Sequence, residues 1–99
     1  MRIYLKMKLT NNQKKYLRSI AHDLKPFVMI GQHGLSESVI DEIDSTMLKH
    51  ELIKIKLRVE DRDEKQKIIE KILEFSHAEI VQVIGGVLVI YRPFEDNPD

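Results

Sequence analysis

Apolar side chains fall along the chain in two alternating periods. Tyr16, Leu17, Ile20, Ala21 and Leu24 recur at helical spacing, and at 100° per residue they share a face of about 140°. The stretch Thr10-Asn11-Asn12-Gln13 before them has the form of a capping box. In it the Thr10 hydroxyl accepts from the Gln13 amide while the Gln13 side chain reaches back. A helix is predicted from there to about Asp23. Lys25-Pro26 ends it, because proline disfavours the helical region for the residue before it. Phe27 to Ile30 is apolar at every position, which predicts a short strand covered on both faces. After the loop Gly31-Gln32-His33-Gly34, a second helix is expected from about Ser36 to Lys49. Val39, Ile40, Ile43, Met47 and Leu48 form its inner side and Glu37, Asp41, Glu42 and Asp44 its outer side. Ser36 or the Glu37 carboxylate can serve its free N-terminal amides.

The period then changes to two. Ile53, Ile55, Leu57 and Val59 alternate with Lys54, Lys56 and Arg58, the pattern of a strand with one apolar and one cationic face. Asp61 to Glu64 signals the start of a third helix running to about Ser76, with Ile68, Ile69, Ile72, Leu73 and Phe75 as its core side. Ala78 to Ile84 and Val87 to Tyr91 are strand-like, and Gly85-Gly86 between them is the chemistry of a two-residue hairpin turn. The fold class expected is α/β (α+β two-layer), in the order α-β-α-β-α-β-β, with three helices and a four-stranded mixed sheet. Helices between strands imply right-handed crossovers and mostly parallel pairing, the hairpin adding one antiparallel member. From Arg92 the chain carries two Pro and three acids and is expected to fray.

At 99 residues the chain suits one domain, and 32% charged beside 42% hydrophobic residues describes a folded soluble protein. The longest uncharged apolar runs fall well short of the ~20 residues of a spanning helix. The absence of Cys removes disulfides, Cys-ligated zinc and thiol chemistry, and makes the cytoplasm the expected compartment. Net charge is zero, which on its own argues against a nucleic-acid partner. The distribution changes that inference. Residues 1–35 hold seven cations and one acid, a net +6, and residues 36–99 hold nine cations and fifteen acids, a net −6. Segregation of this size is a reason to look for a polyanion near the N-terminal third, although two helices with differing exposed residues would also produce it.

Catalytic chemistry has little support. A nucleophilic triad needs a positioned Ser or Cys beside a His, and His22, His33, His50 and His77 are scattered through helix, loop and helix ends without a metal-site spacing. Asp61 and Asp63 sit where helix capping explains them. The loop Gly31-Gln32-His33-Gly34 is more informative, because it joins a short strand to a helix N-terminus at the end of the most basic segment. Glycines there permit positive φ and a close approach of backbone to phosphate, as in KH modules that clamp a nucleic-acid backbone. A tight strand-to-helix connection would need the same glycines. Lys14, Lys15, Arg18 and His22 fall in a stripe of about 100° on the first helix, Lys25 precedes the strand, and Lys54, Lys56 and Arg58 line one strand face. An exposed sheet face or snorkelling stems would also explain the strand cations.

Taken together, LTNNQKKYLRSIAHDLKPFVMIGQHGL, KHELIKIKL and VQVIGGVLVIYRP, in that order, resemble the CRM domain, named for chloroplast RNA splicing and ribosome maturation. The match is closest to its bacterial stand-alone YhbY-like members and spans about residues 7–93. Residues 1–6 are then a leader, extra or from a misplaced start, and 94–99 a flexible tail. The resemblance implies an RNA-binding domain similar in fold to the C-terminal domain of bacterial translation initiation factor three. It implies association with large-subunit ribosomal precursors in an assembly role rather than an enzymatic one. By position, the glycine loop is Gly31 to Gly34, the basic helix contributes Lys14, Lys15 and Arg18, and the family-typical residues are Ala21, His22 and His50 to Lys54. His50 and Glu51 also fit a purely structural joint between helix and strand.

The RNA-binding set expected is therefore Lys8, Lys14, Lys15, Arg18, His22, Lys25, Gly31, Gln32, His33, Gly34, Lys54, Lys56, Arg58 and Arg92. Gln32 and His33 carry no charge at neutral pH, which leaves the loop to act through backbone amides. No cofactor, metal, membrane or small-molecule substrate is expected, and the chain is expected to be monomeric. The competing expectation is a protein-interaction module that docks on a ribosomal protein or other acidic partner, with incidental RNA contact.

Overall fold

The computed structural model describes residues 9–94. The leader and Lys8 lie outside them. Helix α1 spans Asn11–His22, and its capping box forms as the sequence predicts: the Gln13 amide donates to Thr10 Oγ1 at 3.1 Å and the Thr10 amide to Gln13 Oε1 at 2.8 Å. Helix α2 spans Glu37–Lys49 behind Ser36, whose hydroxyl accepts from the Val39 amide. Helix α3 spans Arg62–Ser76, where Asp61 accepts from the amides of Asp63 and Glu64. The strands are β1 (Val28–Ile30), β2 (Leu52–Leu57), β3 (Glu79–Ile84) and β4 (Val87–Tyr91).

The sheet is mixed, as expected, in the order β1-β2-β4-β3, but the expectation of mostly parallel pairing fails. β1 pairs parallel with β2, whereas β4 pairs antiparallel with both β2 and β3. The first three strands do run the same way. The Gly85-Gly86 turn folds β4 back between β2 and β3, so that two of the three pairings become antiparallel.

Alternation along the strands splits the apolar residues between two faces. Ile53, Ile55 and Leu57 of β2, with Leu88 and Ile90 of β4, pack against Ile43 and Met47 of α2 and Ile68, Ile69 and Ile72 of α3. On the other face Ala21 and Leu17 of α1 meet Val81, Val89 and Leu52. Helices thus cover both faces, and the expected two-layer arrangement is in fact three layers. The smaller cluster takes only a narrow strip of α1. Tyr16 is 67% exposed and Ile20 is also exposed, contrary to their assignment to the core, and Leu48 of α2 is likewise 73% exposed.

β1 is an edge strand covered on one face only. Val28 and Ile30 are buried, and Met29 between them is 55% exposed, because α1 does not reach that part of the sheet. The expected fraying does not extend to Arg92 and Phe94. The Arg92 amide donates to the Glu51 carbonyl at 2.9 Å and the Phe94 amide to Glu51 Oε2 at 2.6 Å. His50 stacks on Phe27 with ring centroids 4.6 Å apart, so the His50-Glu51 pair joins helix, strand and C-terminal segment. No helix among the described residues is long and apolar enough to cross a membrane.

Candidate nucleic-acid interface

α1 lies across the sheet through Leu17 and Ala21, and this rotation decides which of its cations reach a concave surface. Lys15, Arg18 and His22, spaced three and four residues apart, share a side. With Ser19, Lys54 and Gln82 they line a cleft of about 540 Å³ between α1 and the sheet, floored by Val87 and Val89. Lys14 is separated from this row. It sits three and seven residues before Leu17 and Ala21, hence on the sheet-facing side, where it is half-buried.

Lys54 and Lys56 project from β2 on the face that α1 occupies, with different surroundings. The Lys54 ammonium donates to the carbonyls of Ala21 at 2.9 Å and Leu24 at 3.0 Å, placing a cation at the carbonyl end of α1. Two of its three donors are therefore used within the fold. Lys56 lines a second cleft, of about 840 Å³, with Arg58, Lys65, Glu60 and the backbones of Gly31, Gln32, Gly85 and Gly86.

Two glycine turns shape this second cleft. Gly85 and Gly86 have φ of +54° and +79°, the left-handed pair of a type I′ hairpin. A Cβ on Gly86 would come within 3.0 Å of the Leu57 carbonyl oxygen, and the Leu57 amide donates to the Gly86 carbonyl at 2.7 Å. Only a residue without a side chain lets the hairpin tip lie this close to the end of β2. On the other side of β2, the Arg58 amide donates to the Ile30 carbonyl at 2.7 Å, which brings the Gly31 loop alongside. The Gly34 amide closes that loop on the Gly31 carbonyl at 3.0 Å, with Gly34 at φ +74°.

The structure thus brings Lys15, Arg18, His22 and Lys54 together in one cleft and Gly31, Gln32, Lys56 and Arg58 in its neighbour. Lys25, His33 and Gly34 line neither. Arg92 is at the opposite end of β4 from the hairpin, and its Nη1 donates to the Ser76 carbonyl at 2.7 Å, tying α3 to the sheet. Lys65 was not anticipated. Its position one turn into α3 reads as ordinary helix surface, and only the approach of Gly86, 3.9 Å from Lys65 Nζ at the Cβ position, marks it. The acids of α2, Glu37, Asp41, Glu42 and Asp44, sit on the layer opposite α1. The α2 acids and the α1 cations thus lie on opposite faces of the sheet. Among the described residues no group of three His, Cys, Asp or Glu could hold a metal ion.

Residues 9–92 match the family model described as the CRS1 / YhbY (CRM) domain. The chain belongs to the CRM family. A Haemophilus influenzae relative named RNA-binding protein is 47% identical over 88 residues, 89% of each chain. A Pseudomonas aeruginosa relative named a probable RNA-binding protein is 38% identical over 86 residues, 87% of this chain and 83% of that one. A Staphylococcus aureus protein of known solution structure, described as a candidate RNA-binding protein, is 42% identical. It superposes with a TM-score of 0.77 over 91% of this chain and 94% of its own. The two clefts and the glycine turns all lie within the part of the chain that the CRM model covers.

Proposed function

We propose that this CRM domain binds structured RNA in large ribosomal subunit precursors, as a cytoplasmic, monomeric assembly factor rather than an enzyme. The observation that carries the reading is the convergence of Lys15, Arg18, His22 and Lys54 in one cleft beside a second cleft built from glycine backbone and Lys56, Arg58 and Lys65. Cations held in concave surfaces meet several phosphates at once, and glycine turns let phosphate oxygens approach amides that side chains would otherwise shield. The acidic outer surface of α2 repels the same ligand, so one face is favoured. The names of the relatives support RNA as the partner.

Five free cations, Lys15, Arg18, Lys56, Arg58 and Lys65, set the salt dependence. At a slope of about −0.7 per phosphate, affinity for naked large-subunit rRNA fragments falls roughly 100-fold between 50 and 200 mM salt. Lys15→Glu with Arg18→Glu abolishes binding and leaves the melting temperature nearly unchanged. Salt-insensitive binding, or no binding of naked large-subunit rRNA below micromolar concentrations, refutes the reading and favours docking on a protein. Sedimentation of a lysate on a sucrose gradient tests the assembly role: the protein is expected with precursors of the large subunit.

A further inference from the structure

Between the two clefts, the α1 face of the sheet carries a row of side chains that is half-buried in the middle and exposed at both ends. Met29 of β1 pairs with Lys56 of β2, Lys56 with Val87 of β4, and Val87 with Ile84 of β3. All four point to the α1 side, and three strand spacings make the row about 14 Å long. Its two ends are large apolar side chains in water: Met29 is 55% and Ile84 62% exposed. The strand neighbours of Met29, Val28 and Ile30, are buried, so its exposure is specific to this face. Ile84 and Val87 form part of the first cleft, and Lys56 part of the second.

We propose that this row seats an unpaired nucleobase, and that the domain therefore prefers looped or single-stranded RNA to duplex. The inference rests on the RNA-binding reading above and specifies which RNA. A ligand fitting the row must present an apolar face and must also tolerate Lys15 and Arg18 on one side and Arg58 and Lys65 on the other. An unpaired nucleotide combines a flat base with an anionic backbone. In an A-form duplex the base faces are stacked away and only phosphates, 2′-hydroxyls and edges are offered. Glycine turns on both sides leave room for the backbone to pass close to the sheet, while the base lies across Met29, Val87 and Ile84. Lys56, in the middle of the row, reaches the adjoining phosphate.

The test uses the full chain and three labelled RNAs of equal length: a hairpin with an open loop, the same hairpin with abasic loop nucleotides, and a blunt duplex. The open loop is expected to bind about tenfold tighter than either of the others, the scale of losing one base contact, with similar salt slopes for the two hairpins. Met29→Ser with Ile84→Ser removes that advantage, so that the open loop binds no tighter than the duplex, and leaves the melting temperature unchanged. If the double variant melts early, the abasic comparison on the unaltered protein decides alone. Equal, salt-dependent binding of all three RNAs overturns the base site and keeps the RNA-binding reading, whereas binding of none overturns both. A variant that keeps full preference for the open loop also overturns the base site.

Discussion

The Lys54 ammonium lies 2.9 Å from the carbonyl oxygen of Ala21, reaching across from β2 to the last turn of α1. A side chain read from sequence as part of a ligand-binding face thus fastens the basic helix to the sheet. Lys54→Met removes this bond and its companion to Leu24, leaving the Leu24 carbonyl without the ammonium while Ala21 keeps the Leu24 amide at 3.0 Å. A loss of about 2 kcal/mol is expected, since bonds to charged groups contribute ~1.5–3 kcal/mol, lowering Tm by roughly 10 °C. Lys56→Met has no such bond to lose, so thermal melting of the pair separates the structural lysine from the free one.

Ser76 is 1% exposed, and its hydroxyl donates to the Ile72 carbonyl at 2.5 Å while accepting from the Ala78 amide at 3.2 Å. Ser76→Ala leaves a buried N–H unpaired where α3 ends, at a cost of about 1–3 kcal/mol. Urea unfolding is expected to show a lower midpoint with an unchanged slope.

The two hairpin glycines respond differently to substitution. Around a Cβ on Gly85 there is nothing within 4 Å, and Asn-Gly suits a type I′ turn, so Gly85→Asn is nearly neutral. Gly86→Ala forces a Cβ toward the Leu57 carbonyl at φ +79°, and a left-handed alanine alone costs ~1–2 kcal/mol. Chemical denaturation of the two variants is expected to differ by at least that amount. Gly86→Ala also pushes the hairpin away from β2, opening the second cleft.

Burial, and secondarily the Glu51 carboxylate, raises the Tyr91 hydroxyl above its usual value of 10.0. The folded state therefore holds this proton more tightly than the unfolded chain. The stabilisation is fully present below pH 10 and is lost as pH climbs through the folded-state value. Tyr91→Phe cannot ionise, so its stability profile is expected to fall less steeply than the parent's above pH 10.

Local chemistry was legible in the sequence wherever a few neighbouring residues decide it. The Thr10-Gln13 box, the Asp61 cap, the Gly85-Gly86 turn and the alternation of β2 all form as their spacing predicts. What was missed depends on which element lands on which. A 140° apolar face on α1 is wider than the strip of Val81, Val89 and Leu52 that receives it, which leaves Tyr16 and Ile20 in water. Met29 sits in an apolar run whose burial depends on how far α1 extends. Lys14 and Lys15 are adjacent in sequence, yet a rotation of 100° puts one against the sheet and the other in the cleft. For the site, the row Lys15, Arg18 and His22 was readable, whereas Lys65 joins it only because the Gly85-Gly86 hairpin folds back beside α3, which no local spacing encodes.

The place of β4 has a consequence for how the molecule is made. It is the last strand among the described residues and occupies an interior position, bonded to β2 on one side and β3 on the other. A nascent chain that ends at Ile84 can form only the parallel pair β1-β2, leaving β3 with no neighbour and β2 with a bare edge. The sheet cannot be assembled piece by piece as it emerges. The β4 segment is thus the closing piece, the strand that joins the β1-β2 pair to β3.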